Sequence, residues 1–313
     1  MEHFVTICDS RFLPQGLALH KSLERHCPEF TLWFLCMDEE AYRLLSTLAA
    51  RGLRPIKVSD FETPELLAVK KSRTVGEYCW TLSPVAPRLV FALAPDAARV
   101  TYLDADMYFL KSPEPIFREF EASGKAVLIT EHAYDPRYDQ SAASGQYCVQ
   151  FMVFVRDSSE PVRQWWEMKC LEWCHAWPED GRMGDQKYLD DWPVRFADHV
   201  HVLSQREVLL APWNARRFPY SGAIAWHFQG LRLLSEGQVL LYRTYVVPEV
   251  VLDKVYRPYL KALRLAMDTM QVNWTQQSVG DGILRRFARR AWRLLTLLRS
   301  GAWALAPERR MRM

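Results

Sequence analysis

The side chains in this sequence best suited to chemistry are Asp104 and Asp106, two residues apart in the run Val100-Thr101-Tyr102-Leu103-Asp104-Ala105-Asp106. In extended backbone, alternate side chains point the same way, so this spacing predicts two carboxylates facing one cation. A hard divalent ion such as Mn2+ or Mg2+ takes oxygen ligands and keeps positions open for phosphate oxygens. Held there, it would neutralise the charge that develops on a diphosphate as its bond to a sugar breaks. A bare D-x-D pair is common. The setting sharpens this one: an apolar strand leads in, and the apolar stretch from Met107 to Leu110 leads out. The competing reading is a surface turn that carries two acids.

Elements that must position such a pair are legible upstream. His3 to Cys8 reads as a buried strand. Pro14 opens a helix that ends near Cys27-Pro28, and Phe30 to Cys36 is a second strand. Asp38 is placed to cap a helix over Glu39 to Arg51, with Gly52 as its stop. Arg54 to Val58 is a third strand, Val85 to Leu93 a helix, and Arg99 to Leu103 a fourth strand. Repeated β-α units of this size predict an α/β fold, a mostly parallel sheet with helices on both faces. Ligands in such sheets bind beyond the carboxyl ends of the strands. Cys8-Asp9-Ser10 and Asp104-Ala105-Asp106 both fall there. No G-x-G-x-x-G follows the first strand and no G-x-x-x-x-G-K-[ST] occurs, which argues against a dinucleotide fold and a P-loop enzyme.

Composition bounds the rest. The chain has 313 residues, 49% hydrophobic and 25% charged, which excludes a disordered chain, a fibre or a disulfide-knotted peptide. Seven scattered Cys suggest a reducing compartment. Cys170 and Cys174 with His175 lack a second ligand pair, so buried thiols are favoured over zinc. Neither a signal peptide nor a membrane span is read, and the expected location is cytoplasmic. Charge is uneven: from Asp281 to Met313 nine Arg stand against Asp281 and Glu308, a net +7 that leaves −4 for the remainder of the +3 chain. A nucleic-acid-coating protein is not built this way, so no nucleic acid partner is expected. Residues 284–299 have helical periodicity, with Leu284, Phe287, Ala291, Leu294, Leu295 and Leu298 on one face and arginines on the other. Such a helix can lie on the anionic inner face of a membrane, or pack on the protein with a solvated basic side.

Several segments together resemble one family. Val100 to Phe109 is similar to the core of GT-A glycosyltransferases, and more closely to the retaining family 8 group that includes glycogenin and lipopolysaccharide galactosyltransferases. Val5-Thr6-Ile7-Cys8-Asp9-Ser10-Arg11-Phe12 resembles that family's first strand, whose end holds uridine. Ser144-Gly145 through Gln150 resembles the segment beside the donor sugar. Gly184-Asp185-Gln186-Lys187-Tyr188-Leu189 resembles the D-Q-x-x-L helix start that reaches the reacting sugar. His227-Phe228-Gln229-Gly230 resembles the H-x-x-G turn whose His is the third metal ligand. The resemblance covers about residues 3 to 235. It implies a GT-A domain over 1–245, a helical extension over 246–280 and a basic amphipathic helix or tail over 281–313. It implies transfer of a sugar from a nucleotide-sugar donor, UDP-linked, to a hydroxyl of a glycan or lipid-linked acceptor, with retention. Asp104, Asp106 and His227 would hold Mn2+ or Mg2+. Thr6, Cys8, Asp9, Arg88 and Ala105 would line the nucleotide, and Ser144, Gly145, Gln150 and Gly230 the donor sugar. Asp185 and Gln186 would be catalytic. Where the family has the diphosphate-binding Lys, this chain has Leu233, with Arg232 adjacent. The chain also resembles a set of bacterial sugar-transferase-like proteins through Glu77-Tyr78-Cys79-Trp80-Thr81, Asp135 to Gln140, Trp173-Cys174 and Ala211-Pro212-Trp213-Asn214.

Each of these residues has a plainer reading as well. His227 sits among apolar residues, as a satisfied core histidine would. Asp185 can simply cap the helix that follows it. An inverting enzyme would need a carboxylate base, for which Asp185, Asp190 and Asp191 are available. Trp165, Trp166 and Trp173 have helical spacing within Val162 to Trp177 and read as core, with acceptor stacking as the alternative. The polar loop from Asp135 to Gly145, with Tyr134, Tyr138 and Asp139, is a lid or an ordinary surface loop. Two rival functions remain: a sugar nucleotidyltransferase, which usually carries a glycine- and lysine-rich loop after strand one, and a non-catalytic carbohydrate-binding scaffold on a transferase fold.

Overall fold

A computed structural model describes residues 1–234, 237–242, 244–271 and 309–312. The first strands are β1 (Glu2–Cys8), β2 (Phe30–Cys36), β3 (Leu53–Lys57), β4 (Arg99–Leu103) and β5 (Met107–Phe109). They are followed by β6 (Val127–Glu131), β7 (Tyr147–Val155), β8 (Val200–Val202), β9 (Leu209–Leu210) and β10 (Ala225–His227). The last are β11 (Arg232–Leu233), β12 (Gln238–Tyr242) and β13 (Arg309–Arg312). Seven of these form the main sheet in the order β3-β2-β1-β4-β7-β6-β8. β7 runs against both its neighbours and every other adjacent pair is parallel, so the expected α/β fold with a mostly parallel sheet is present.

Helices cover both faces because both faces are apolar. Along β1, Phe4 and Cys8 join one core with Phe34, Leu103, Phe109 and Phe117. Val5 and Ile7 point the other way and join Leu35, Tyr102, Leu89 and Trp166. A sheet buried on both sides leaves no polar alternation, which is why β1 reads as a continuous apolar run. The helices used below are α1 (Leu13–His26), α2 (Glu39–Ser46), α3 (Pro64–Lys70), α4 (Val75–Leu82), α5 (Val85–Leu93), α6 (Glu114–Ser123), α7 (Ser141–Ser144) and α8 (Glu160–Glu172).

Some boundaries differ from the sequence expectation. α2 stops at Ser46, not Arg51. Gly52 is not its stop: with φ +69° it turns the chain into β3, and a Cβ there would lie 2.4 Å from the Phe30 carbonyl oxygen. α8 likewise ends at Glu172, so Trp173 lies past the helix.

Two small sheets stand beyond the carboxyl edge of the main one, in the orders β5-β10-β9 and β11-β12-β13. The helix Arg257–Met270 closes this end by packing on α1, with Tyr259 stacked on Phe228 at 3.5 Å between ring centroids. Of the basic tail, Arg309–Arg312 forms a strand paired with β12. The amphipathic segment 284–299 lies outside the described residues.

Candidate functional site

The acidic pair converges through a turn, which corrects the extended geometry expected from its spacing. β4 ends at Leu103 and β5 begins at Met107, and the Met107 amide donates to the Asp104 carbonyl at 3.1 Å. The turn folds Asp104 and Asp106 towards His227. β10 pairs antiparallel with β5, setting His227 opposite Met107, and the Phe228 amide donates to the Asp106 carbonyl at 2.9 Å. His227 Nε2 lies 3.0 Å from Asp106 Oδ1 and 3.6 Å from Asp104 Oδ2. One ligand atom from each of the three lies within 4.8 Å of the others, and no second group of His, Cys, Asp or Glu converges so among the described residues.

The imidazole is aimed by its other nitrogen. Nδ1 of His227 lies 2.8 Å from Oε1 of Gln150 on β7. An amide oxygen only accepts, so Nδ1 carries the proton and Nε2 faces the carboxylates. The Trp213 ring meets the imidazole edge-on at 5.4 Å, and its Nε1 donates to the His132 carbonyl at 2.7 Å. Gln150, expected beside the donor sugar, is therefore engaged in orienting the His227 ring.

Electrostatics separates the members of the group. Burial pushes Asp104 up to about 7, opposed by the neighbouring imidazole and reinforced by Asp106. Burial acts the same way on Asp106, but contact with His227 outweighs it and holds that carboxyl below its usual range. Burial would lower His227, yet the two carboxylates raise it well above an ordinary imidazole. Cation and acids thus neutralise one another in a recess, and a divalent ion bound there would take the place of the proton. Two carboxylate oxygens and one imidazole nitrogen are a donor set that fits Mn2+ or Mg2+.

A hydrogen-bonded row leads from the pair to Ser83, beside Asp185. Tyr102 Oη donates to Asp104 Oδ1 at 3.2 Å, and Ser83 Oγ donates to Tyr102 Oη at 3.4 Å. Asp185 lies next to Ser83, and burial pushes its carboxyl up to about 8. Its Oδ2 is buried without a partner. The capping reading fails here, because the Asp185 side chain accepts no hydrogen bond from the 3-10 turn Gln186–Asp191. Asp190 is bound to Lys187 at 2.6 Å and to the Gln146 amide at 2.7 Å, while Asp191 is bound to Arg195. Of the three base candidates, Asp185 is the one beside the acidic pair.

Other expected residues scatter. Thr6 and Cys8 are sealed in the core, with the Cys8 thiol 3.8 Å from the position of a Cβ on Gly16, so their side chains do not line a pocket. Asp9 does reach the carboxyl edge, but its carboxylate accepts from the Arg11 and Phe12 amides and the Arg11 guanidinium. Arg88 pairs with Glu167 of α8 at 3.3 Å and joins that helix layer instead of the triad. Ala105 is buried in the turn between the two acids, and Gly230, at φ +83°, turns the chain after His227. Ser144 and Gln186 are brought together, since Gln186 Nε2 donates to the Ser144 carbonyl at 2.7 Å, next to Gly145. Leu233 is buried in the core of the small sheets, while Arg232 lies close enough to help hold Asp106 ionised.

The remaining residues are placed as follows. Cys170 and Cys174 are buried free thiols. Trp166 is fully buried and donates to the Asp185 carbonyl at 2.9 Å. The Asp135–Gly145 loop is fastened on one side by Gln140 Nε2 to Tyr245 Oη at 3.4 Å and on the other by Lys187 Nζ to the Ser141 carbonyl at 2.9 Å.

Three contributors escaped the sequence reading: Tyr102, Ser83 and Trp213. Tyr102 had a usable signal, being a hydroxyl two residues before Asp104 near the end of the strand that leads into the acidic pair. Ser83 and Trp213 act through neighbours that lie 19 and 81 residues away, at Tyr102 and His132, which spacing along the chain cannot reveal.

No family model matches the chain. It is 30% identical over 289 residues to the uncharacterized protein YfnD of Bacillus subtilis (strain 168), spanning 86% of this chain and 91% of that one. It is also 30% identical over 255 residues to YfnF of the same organism, spanning 75% of this chain and 84% of that one. Among solved structures it is similar to apo mouse xyloside xylosyltransferase 1, with a TM-score of 0.46 and 17% identity over 73% of this chain and 97% of that one. The galactosyltransferase LgtC, in complex with donor and acceptor sugar analogs, gives 0.47 and 15% over 73% of this chain and 87% of that one. The glycosyltransferase GlyE of Streptococcus pneumoniae TIGR4 gives 0.48 and 16% over 88% of this chain and 65% of that one.

Proposed function

The chain belongs to the same family as YfnD and YfnF, and we propose that it is a metal-dependent glycosyltransferase that moves a sugar from a nucleotide-sugar, UDP-linked, to a hydroxyl of a glycan or lipid-linked acceptor. The observation that carries this reading is the convergence of Asp104, Asp106 and His227 at the carboxyl edge of a parallel sheet, where ligands of such sheets bind.

A divalent ion on these three residues would supply positive charge for a leaving diphosphate. The residues themselves do the rest. Gln150 keeps the imidazole Nε2 turned towards the acids. Tyr102 holds Oδ1 of Asp104 and leaves Oδ2 towards His227. Arg232, close to Asp106, is the nearby cation for the diphosphate in a chain that has Leu233 at the family's lysine position. Asp185 stays in its acid form to about pH 8, and Asp190 and Asp191 are tied in ion pairs. A site without a standing carboxylate base suits retention, in which the departing phosphate takes the acceptor proton. Among the described residues no helix is long and apolar enough to cross a membrane. A lipid-linked acceptor would then be met at a surface, by the basic residues 284–299.

The test is hydrolysis and transfer with UDP-, GDP- and dTDP-sugars, with Mn2+ and with EDTA, followed by chromatography and by NMR of the product anomer. Metal-dependent release of nucleoside diphosphate that disappears in Asp104→Asn is expected. If no donor is bound or turned over while the protein is folded, the transferase reading is wrong.

A further inference from the structure

Between α8 and Asp185 the chain carries an aromatic group that the chemistry above does not use. The rings of His175 and Trp177 stack at 4.4 Å with 17° between their planes. Trp173 stands edge-on to both, at 5.3 Å and 6.3 Å. Trp173 is buried, whereas Trp177 is 38% exposed.

This group is held rigidly. Glu179 accepts from both indoles, Trp173 Nε1 and Trp177 Nε1, each at 3.2 Å, so one carboxylate sets the orientation of two rings. The Arg182 guanidinium covers Trp173 at 4.9 Å and pairs with Glu179 and Asp180. From below, the buried carboxylate of Glu77 accepts from the Ala176 amide at 3.0 Å. The Gly184 amide donates to the His175 carbonyl at 2.9 Å, which ties the group one residue from Asp185. A single exposed Trp on a protein surface needs no explanation. Two polar clamps that fix an exposed indole are a different matter, because locked rings bind with little loss of side-chain freedom.

We propose that Trp177, backed by the stacked ring of His175, is the platform on which the apolar face of a neutral pyranose in a glycan acceptor stacks. Only the word acceptor rests on the transferase reading; the binding of a glycan does not. Charge favours a neutral ligand: the rim carries Glu179 and Asp180 against Arg182 alone, so an anionic nucleotide or phosphate would be repelled there. An indole face offers a pyranose ring broad contact, and Glu179, Asp180 and Arg182 offer hydrogen bonds to its hydroxyls.

The probes are lactose, maltotriose, cellotriose and chitotriose, titrated into the full chain without nucleotide or metal and followed by Trp fluorescence and saturation-transfer NMR. At least one is expected to bind, with saturation transfer to its ring protons. Trp177→Ala should weaken that binding about five- to tenfold, the factor that an aromatic contact of this kind carries. Trp177→Phe should keep most of it, and hydrolysis of the donor alone should be unchanged in both. The platform is refuted if the wild type binds none of the four, or if Trp177→Ala binds as well as wild type. Glycan binding without donor hydrolysis would leave the platform in place and defeat the transferase reading, and hydrolysis without glycan binding would do the reverse.

Discussion

His227 and Gln150 are joined across two sheets, Nδ1 to Oε1 at 2.8 Å, so a strand of the main sheet sets the orientation of an imidazole carried by a small one. Removing the amide should leave the imidazole free to turn. Gln150→Leu is expected to lower Mn2+ affinity about 10- to 100-fold, the usual cost of losing a partner behind a metal ligand. Electron paramagnetic resonance of free Mn2+ measures this directly, and unchanged affinity would show that the bond does not matter.

Tyr102 tests the same idea from the other side. Its hydroxyl holds Asp104 Oδ1 at 3.2 Å and accepts from the buried Ser83 Oγ at 3.4 Å, and Tyr102→Phe removes both bonds. Mn2+ binding should weaken by about tenfold, in line with a lost hydrogen bond to a charged group. The metal-free melting temperature should fall by about 2–4 °C, because Ser83 loses its acceptor.

Asp185 gives a pH signature. Burial raises its carboxyl to about 8, far above the value in an unfolded chain. The folded state then binds a proton more tightly, so stability from this group is full at low pH and is lost as pH rises through the folded value. Asp185→Asn should therefore stabilise the fold against urea at pH 9, by on the order of 2 kcal/mol, and do little at pH 4. Equal effects at both pH values would contradict a buried, neutral acid.

Gly145 has φ +105°, and a Cβ there would meet Asp190 Oδ1 at 3.3 Å, the atom that accepts from the Gln146 amide. Gly145→Ala should cost about 1–3 kcal/mol of stability through backbone strain. It should also loosen the 135–145 loop, read as faster amide exchange there than in β1 or β4. Gly16→Ala is a control with ordinary backbone, where Phe34 Cε1 at 2.8 Å must shift instead.

How much was legible along the chain depended on how local the cause was. The strand from Arg99 to Leu103 and the helix from Val85 to Leu93 are read from apolar runs and found with those bounds. Their ends are set by the neighbouring residues themselves. The sequence predicts α2 five residues too long because nothing in Thr47 to Arg51 is a strong helix breaker; the helix closes at Ser46, where the Thr47 amide and hydroxyl both turn back to the Leu44 carbonyl, and Gly52 serves the later turn into β3. Thr6, Cys8 and Asp9 were assigned to a pocket because they end a strand at the right edge. Helices cover both faces of β1 and so bury the first two, while Arg11 with the following turn occupies the third.

What the sequence determined by itself is the chemistry available and the edge where it gathers: apolar period and turn residues fix strands and helices locally, and Asp104 and Asp106 come with their strand. What only tertiary structure decided is which side chains meet. His227 lies 121 residues beyond Asp106, and it joins the two acids because β10 pairs with β5. Gln150 became its orienting partner and Asp185 a neutral acid for the same reason: hydrogen-bond partners and burial are properties of the packed chain, set by contacts that no spacing along the sequence encodes.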